Sequence, residues 1–104
     1  MSIKLNRSIE EITKIIAKDI GGSGVIAHTM AKRLANLHQD LEPTVSAYLS
    51  GKPASFTLGD ITLQTIMEKE HCSLPEALFS MSTLLENPEL AERYKTLNFR
   101  YDHL

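Results

Sequence analysis

Cysteine and histidine can act as nucleophiles or metal ligands, but their spacing in this chain favours neither role. Cys72 is the single cysteine and directly follows His71. Side chains of adjacent residues diverge on a helix or strand, so a metal there would need two distant ligands. The remaining histidines show no ligand spacing: His28, His38 and His103. A thiol nucleophile also needs an oriented base, which no spacing indicates. The pair therefore indicates a helix end with a small buried thiol.

The glycine-rich stretch Gly21-Gly22-Ser23-Gly24 precedes a predicted helix and can in principle hold an anion at its N-terminus. It lacks the lysine and the spacing of a P-loop, and no strand precedes it. A turn between two antiparallel helices accounts for it without a ligand. The glutamates are scattered rather than paired as acid and base: Glu68, Glu70, Glu86, Glu89 and Glu92. We therefore predict no enzyme activity, no metal and no cofactor.

The most informative segment is the run from Glu42 to Lys52, which predicts one short helix. Pro43 suits a first helical turn, where its missing N–H costs nothing, and Gly51 is a typical helix end. Three apolar residues, Val45, Tyr48 and Leu49, fall on one side, and small hydroxyl side chains are expected on the other. A short capped helix of this kind is typical of DNA major-groove readers. It is equally ordinary in a small helical bundle.

Size and composition predict one globular domain. The chain has 104 residues, 42% hydrophobic and 23% charged, and a net charge of −2. That charge argues against a nonspecific nucleic-acid coat. Residues 1–52 hold seven Lys/Arg against five Asp/Glu, whereas residues 53–104 hold four against eight. A DNA-facing first half and a partner-facing second half would fit this asymmetry, as would chance.

Three features predict a soluble cytoplasmic protein that does not enter a membrane. The lone cysteine cannot form an internal disulfide, which suits a reducing compartment. The N-terminus lacks the apolar run of a signal peptide. No stretch approaches the ~20 apolar residues that a membrane-spanning helix needs.

Helical periodicity and capping signals predict an all-α fold of five to six helices. A capping box at Ser8 begins the first helix, and Gly21-Gly22 ends it. The second helix can be capped by Ser23. Its apolar stripe runs at helical spacing through Ile26, Met30, Leu34, Leu37 and Leu41.

Further signals place the later helices. We expect a fourth helix to begin at Thr57 or Asp60 and a fifth at the capping box of Ser73. Asn87-Pro88 should end the fifth helix and cap a short sixth. The tail from residue 97 to 104 alternates apolar and polar residues, which fits a short β-strand or a disordered end.

Taken in order, residues 9–85 resemble the lambda-repressor-like (Cro/repressor, XRE-type) helix-turn-helix family. The run from Gly24 to Leu34 is similar to that family's second helix, and residues 44–52 resemble its recognition helix. Residues 63–67 and 73–78 resemble its fourth helix and the start of its fifth. The chain departs from the pattern at Ala27, where the family often has glutamine, and the stretch between its second and third helices is longer than the usual tight turn.

The resemblance implies a set of DNA-contacting residues. In such a domain Thr44 and Ala47 would face bases, and Ser46 and Ser50 would offer hydroxyls to bases or phosphates. Phosphate contacts would come from Thr29, Lys32, Arg33 and Lys52. So few contacts per subunit imply a homodimer on two half-sites, with residues 86–104 and the helices of residues 74–97 as the expected dimer surface.

Two functional hypotheses follow. The first is a small DNA-binding transcription regulator that acts as a homodimer on double-stranded DNA without a cofactor. The second is a non-enzymatic helical module, such as an adaptor, inhibitor or immunity-type protein, that binds a protein partner through residues 74–97. The acidic second half and the acidic Asp40 and Glu42 beside the third helix favour the second hypothesis. A positive face formed jointly by Lys32, Arg33 and Lys52 would favour DNA.

Overall fold

The computed structural model describes residues 3–22 and 24–97, which form an all-α fold with one small hairpin. Two 3-10 turns, Leu34–Asn36 and Gln39–Leu41, precede the third helix. The elements are α1 (Ile9–Ile20), α2 (Gly24–Arg33), α3 (Glu42–Leu49), β1 (Thr57–Leu58), β2 (Ile61–Thr62), α4 (Leu63–Glu70), α5 (Leu74–Glu86) and α6 (Pro88–Tyr94).

Helices α1 and α2 form the most extensive helix pair of the described chain. Helix α1 begins as predicted, because Ser8 Oγ accepts the Glu11 N–H at 3.2 Å. It ends as predicted at Gly21, whose φ of 64° is left-handed and whose N–H donates to the Ala17 carbonyl. On α2, Ala27 and Ala31 are completely buried, so two small side chains allow α1 to approach closely.

The second helix is shorter than its apolar stripe predicted. Helix α2 ends at Arg33, and the chain continues through the two 3-10 turns because Leu37 is extended, with ψ of 160°. The three leucines of the stripe, Leu34, Leu37 and Leu41, nevertheless reach the core. At these three positions the apolar spacing predicted burial correctly but not backbone conformation.

The placement of Ile26 in the core was wrong. Ile26 is 57% exposed, because α2 turns Ala27 and Ala31 toward α1 instead. One residue corresponds to about 100° around a helix, so a neighbour of a buried alanine points well away from the core.

The expectation that the fourth helix begins at Thr57 or Asp60 was also wrong. Residues 57–62 form an antiparallel hairpin in which Thr57 pairs with Thr62 and Leu58 with Ile61. Gly59 has a φ of 61° in the connecting turn, a conformation that glycine adopts at little cost. Helix α4 starts only at Leu63, where the Thr62 hydroxyl accepts the Thr65 N–H at 3.0 Å.

The last two helices agree with their capping signals. The Ser73 N–H donates to Glu76 Oε1 at 3.1 Å at the start of α5, and the Leu90 N–H donates to Asn87 Oδ1 at 3.2 Å at the start of α6. The α5 stripe lies in the core, to which all six helices contribute side chains: Ile12, Ile16, Ala27, Ala31, Val45, Leu63, Ile66, Ala77, Leu78, Met81, Leu84 and Tyr94. Residues 98–104 of the tail, for which the sequence left a strand or a disordered end open, lie outside the described residues.

Candidate nucleic-acid interface

The predicted reading helix α3 lies with one side in the core. As expected, Pro43 stands in its first turn, Gly51 follows its end with φ of 72°, and the Val45 side chain is fully buried. Tyr48 and Leu49 are buried beside it, at 7% and 6% exposure. The exposed residues are Pro43 and Ser46 on α3 and Ser50 directly after its end.

Thr44 does not face outward, so its predicted role in contacting bases is wrong for this structure. The residue is 6% exposed, and its hydroxyl donates to the Ser55 carbonyl at 2.9 Å. Thr44 precedes Tyr48 by one helical turn, which places both on the core side of α3. Its hydroxyl therefore ties α3 to the loop before the hairpin. Ala47, the other predicted base-facing residue, is half-buried.

The exposed serines on α3 and at its C-terminal end lie beside the N-terminal segment. Ser46 and Ser50 line a cleft of about 310 Å³ that Lys4, Asn6 and Arg7 also line. Two hydrogen bonds from backbone N–H groups hold the segment there: Ile3 donates to the Ala35 carbonyl and Lys4 to the side-chain Oε1 of Glu42, both at 2.8 Å. Hydroxyls and two cations thus occur together, a combination that suits an anionic ligand.

Carboxylates reduce the positive charge of this cleft. Glu11 lines it and lies 3.6 Å from the Arg7 guanidinium, and Glu42 holds the Lys4 backbone. Sequence reasoning missed Lys4, Asn6 and Arg7 because they lie about forty residues before α3 in the chain and meet it only in the folded structure. No local pattern signals such a contact.

Lys52 follows the C-terminal end of α3 and faces α1 rather than the N-terminal segment. It lines a cleft of about 390 Å³ with Lys18, Asp19 and Tyr48. The Tyr48 hydroxyl donates to Asp19 Oδ2. Burial, this hydrogen bond and the negative charge of Asp19 together raise the pKa of Tyr48 well above its usual value.

The predicted contacts on α2 lie elsewhere. The Thr29 hydroxyl donates to the Val25 carbonyl within the same helix at 3.0 Å. The Arg33 guanidinium lies 5.4 Å from the centre of the Phe79 ring on α5 and lines a cleft of about 170 Å³ that Glu86 also lines. Lys32 is exposed. Helix α2 makes its broad contacts with α1 and the following 3-10 turn rather than with α3.

None of the described clefts brings the eight predicted residues together. Ser46 and Ser50 share one cleft, Thr44 lies in the core, and Arg33 and Lys52 line two other clefts. The joint positive face expected of Lys32, Arg33 and Lys52 is not supported by this arrangement. Sequence reasoning also missed the exposure of Val25 and Ile26, which are 76% and 57% exposed.

The thiol of Cys72 is poorly suited to nucleophilic chemistry. Desolvation, and then the charges of Glu70 and Glu76, raise its pKa to about 11, whereas a reactive cysteine needs a lowered pKa. Across residues 3–22 and 24–97, no group of three or more His, Cys, Asp or Glu side chains is arranged to hold a metal ion. None of the helices in these ranges is long and apolar enough to cross a membrane.

Comparison with protein-family models, with curated proteins and with solved structures finds no match to this chain. The resemblance to lambda-repressor-like domains thus stays a prediction from the sequence.

Proposed function

We propose that this chain is a non-enzymatic protein-interaction module that binds its partner on the outer face of α2. This face consists of Val25, Ile26, Thr29, Lys32 and Arg33, which lie opposite the buried Ala27 and Ala31. The observation that carries the proposal is the exposure of Val25 and Ile26, the two large hydrophobic residues that the described chain leaves exposed. A partner that covered them would gain roughly 1.5–3 kcal/mol for each side chain fully buried.

The charge of the outer face of α2 indicates the chemistry of the partner. The helix contains no acidic residue, and both of its cations, Lys32 and Arg33, lie in its last turn. The face is therefore apolar at its N-terminal end and cationic at its C-terminal end. It complements a partner that presents aliphatic side chains next to carboxylates.

Site-specific photocrosslinking tests the proposal. We would replace Ile26 with p-benzoylphenylalanine in the native cell and use Gln64, exposed on α4, as the control position. We expect a protein captured from position 26 and not from position 64. Binding of that purified protein should weaken at least about tenfold in a Val25→Ser/Ile26→Ser double variant, the equivalent of ~1.4 kcal/mol.

Two results would count against the proposal: equal capture from both positions, or wild-type affinity in the double variant. Capture of a second copy of this chain alone would replace the external partner with a homodimer formed through α2, a surface other than the residues 74–97 expected from the sequence. A Lys32→Glu variant tests the charge requirement separately. It should weaken binding most at low salt, because screening removes the contribution of an exposed charge.

DNA binding is the second candidate, and one observation favours it. Ser46 on α3 and Ser50 directly after its end share their cleft with Lys4 and Arg7. This combination can contact a phosphate backbone, although Thr44 is unable to contact bases from its buried position.

Fluorescence anisotropy with a random-sequence duplex pool at low salt tests this candidate. A Lys4→Glu/Arg7→Glu variant should lose binding, whereas Lys14→Glu, a charge reversal on the exposed side of α1, serves as the control. Absence of salt-dependent binding, or equal loss in the control, would exclude the cleft as a DNA site.

A further inference from the structure

A half-open cleft of about 320 Å³ lies where α4, α5 and α6 meet, on elements other than those of the proposed α2 interface. Three leucines, Leu84, Leu90 and Leu97, contribute its apolar lining. Its polar lining residues are Glu70, Ser80, Thr83 and Tyr94. At the ~30 Å³ that a water molecule occupies in the liquid, the volume corresponds to roughly ten non-hydrogen atoms. An apolar cleft with a few convergent polar groups is typical of a small-molecule site.

The carboxylate of Glu70 is oriented by two hydroxyl groups. Ser80 donates to Oε1 at 2.8 Å, and Tyr94, which is 3% exposed, donates to Oε2 at 2.5 Å. Each carboxylate oxygen accepts one of these bonds and keeps capacity for a second. The two donors fix the carboxylate in place without neutralising its charge.

The described residues supply no cation to Glu70. Across residues 3–22 and 24–97, no basic nitrogen lies within 4.0 Å of its carboxylate. The neighbouring Lys69 is directed elsewhere: its ammonium donates to the Lys95 carbonyl at 3.1 Å and lies 5.4 Å from the centre of the Tyr94 ring. A fixed negative charge beside three leucines therefore favours a ligand that is cationic at one end and apolar along its length.

We propose that this cleft binds a primary ammonium group carried on a short alkyl chain. The ammonium would donate to Glu70, and the chain would lie against Leu84, Leu90 and Leu97. A charge-assisted hydrogen bond supplies the selectivity for the head group, and apolar burial supplies affinity for the chain. The chemistry is shared by free alkylamines and by a lysine side chain of a peptide.

NMR titration of the ¹⁵N-labelled protein tests the proposal with four probes: hexylammonium, hexanol, hexanoate and methylammonium. We expect saturable shifts of the Thr83 and Leu90 amides with hexylammonium at millimolar concentration. The uncharged, oppositely charged and tail-less probes should bind at least about fivefold more weakly. A peptide with a single central lysine distinguishes a free amine from a lysine side chain as the ligand.

A matched pair of variants identifies the carboxylate that is responsible. Glu70→Gln should weaken hexylammonium binding at least about fivefold, whereas Glu68→Gln, exposed two residues earlier on α4, should bind like wild type. Equal binding of hexanol and hexylammonium, or the absence of saturation, overturns the proposal with the wild-type protein alone. Equal loss in both variants overturns the assignment to Glu70. Because the cleft and α2 are tested separately, failure here leaves the proposed interface intact.

Discussion

Replacing Val45 with aspartate is the sharpest test of how α3 is oriented. Val45 has no solvent exposure, whereas its neighbour Ser46 is exposed. The substitution removes about 1.5 kcal/mol of apolar burial and places a carboxyl without a partner in the core, at about 1–3 kcal/mol. Keeping that carboxyl neutral at pH 7, roughly three units above its usual pKa, costs a further amount of at most about 4 kcal/mol.

The sum of these effects predicts a loss of about 3–8 kcal/mol at pH 7, comparable to the whole stability of an ordinary domain of ~5–15 kcal/mol. The loss must depend on pH. Burial raises the folded-state pKa of the introduced carboxyl, so its protonated form is favoured and the destabilisation grows as pH rises above the unfolded pKa. Between pH 5 and pH 7 Val45→Asp should lose about 2–3 kcal/mol more than wild type does.

Urea unfolding followed by far-UV circular dichroism measures the effect, since the chain has no tryptophan. Ser46→Asp is the matched control and should stay within about 0.5 kcal/mol of wild type. Val45→Ala gives a measurable loss of about 1–2 kcal/mol even if the aspartate variant is unfolded at pH 7. A Val45→Asp protein within about 1 kcal/mol of wild type would refute the burial of this side of α3.

Three further predictions concern single residues. The raised pKa of Tyr48 means that the unfolded chain loses this proton first, so stability should fall as pH rises above the unfolded value of about 10, and Tyr48→Phe should remove part of that fall in alkaline unfolding curves. Because its pKa is raised to about 11, Cys72 should react with iodoacetamide at pH 8 at least about tenfold more slowly in the folded protein than in urea. Gly21→Ala should cost about 1 kcal/mol in thermal or urea unfolding because φ is 64° there, whereas Gly22→Ala, which meets nothing closer than 3.7 Å, should cost less.

Local signals in the sequence predicted the helix ends well. The caps at Ser8, Gly21, Ser73 and Asn87 all depend on residues within four positions of one another, and the structure contains the expected bonds. The prediction of a helix at Thr57 was wrong because the apolar residues there fit a strand as well as a helix. Strands of two residues are too short to distinguish the helical period from the strand period.

The candidate site was much less predictable, because its geometry depends on contacts between distant segments. The cleft beside Ser46 forms because residues near Lys4 lie beside α3. The Arg33 guanidinium lies over the Phe79 ring on α5 instead of facing the same cleft. The pocket of Glu70 likewise joins residues of three helices. The spacing of residues along the chain does not indicate such long-range contacts.

The packing of α1 against α2 explains how the fold can leave Val25 and Ile26 exposed. Close approach of the two helices selects the small Ala27 and Ala31 for the interface, and the residues before Ala27 then point to solvent. Since the core gains nothing from their burial, Val25→Ser/Ile26→Ser should change the free energy of unfolding by less than about 1 kcal/mol. A larger loss of stability would mean that these side chains serve the fold, and the case for a binding face on α2 would then lose its main support. Unchanged stability together with lost partner binding would separate the two roles directly.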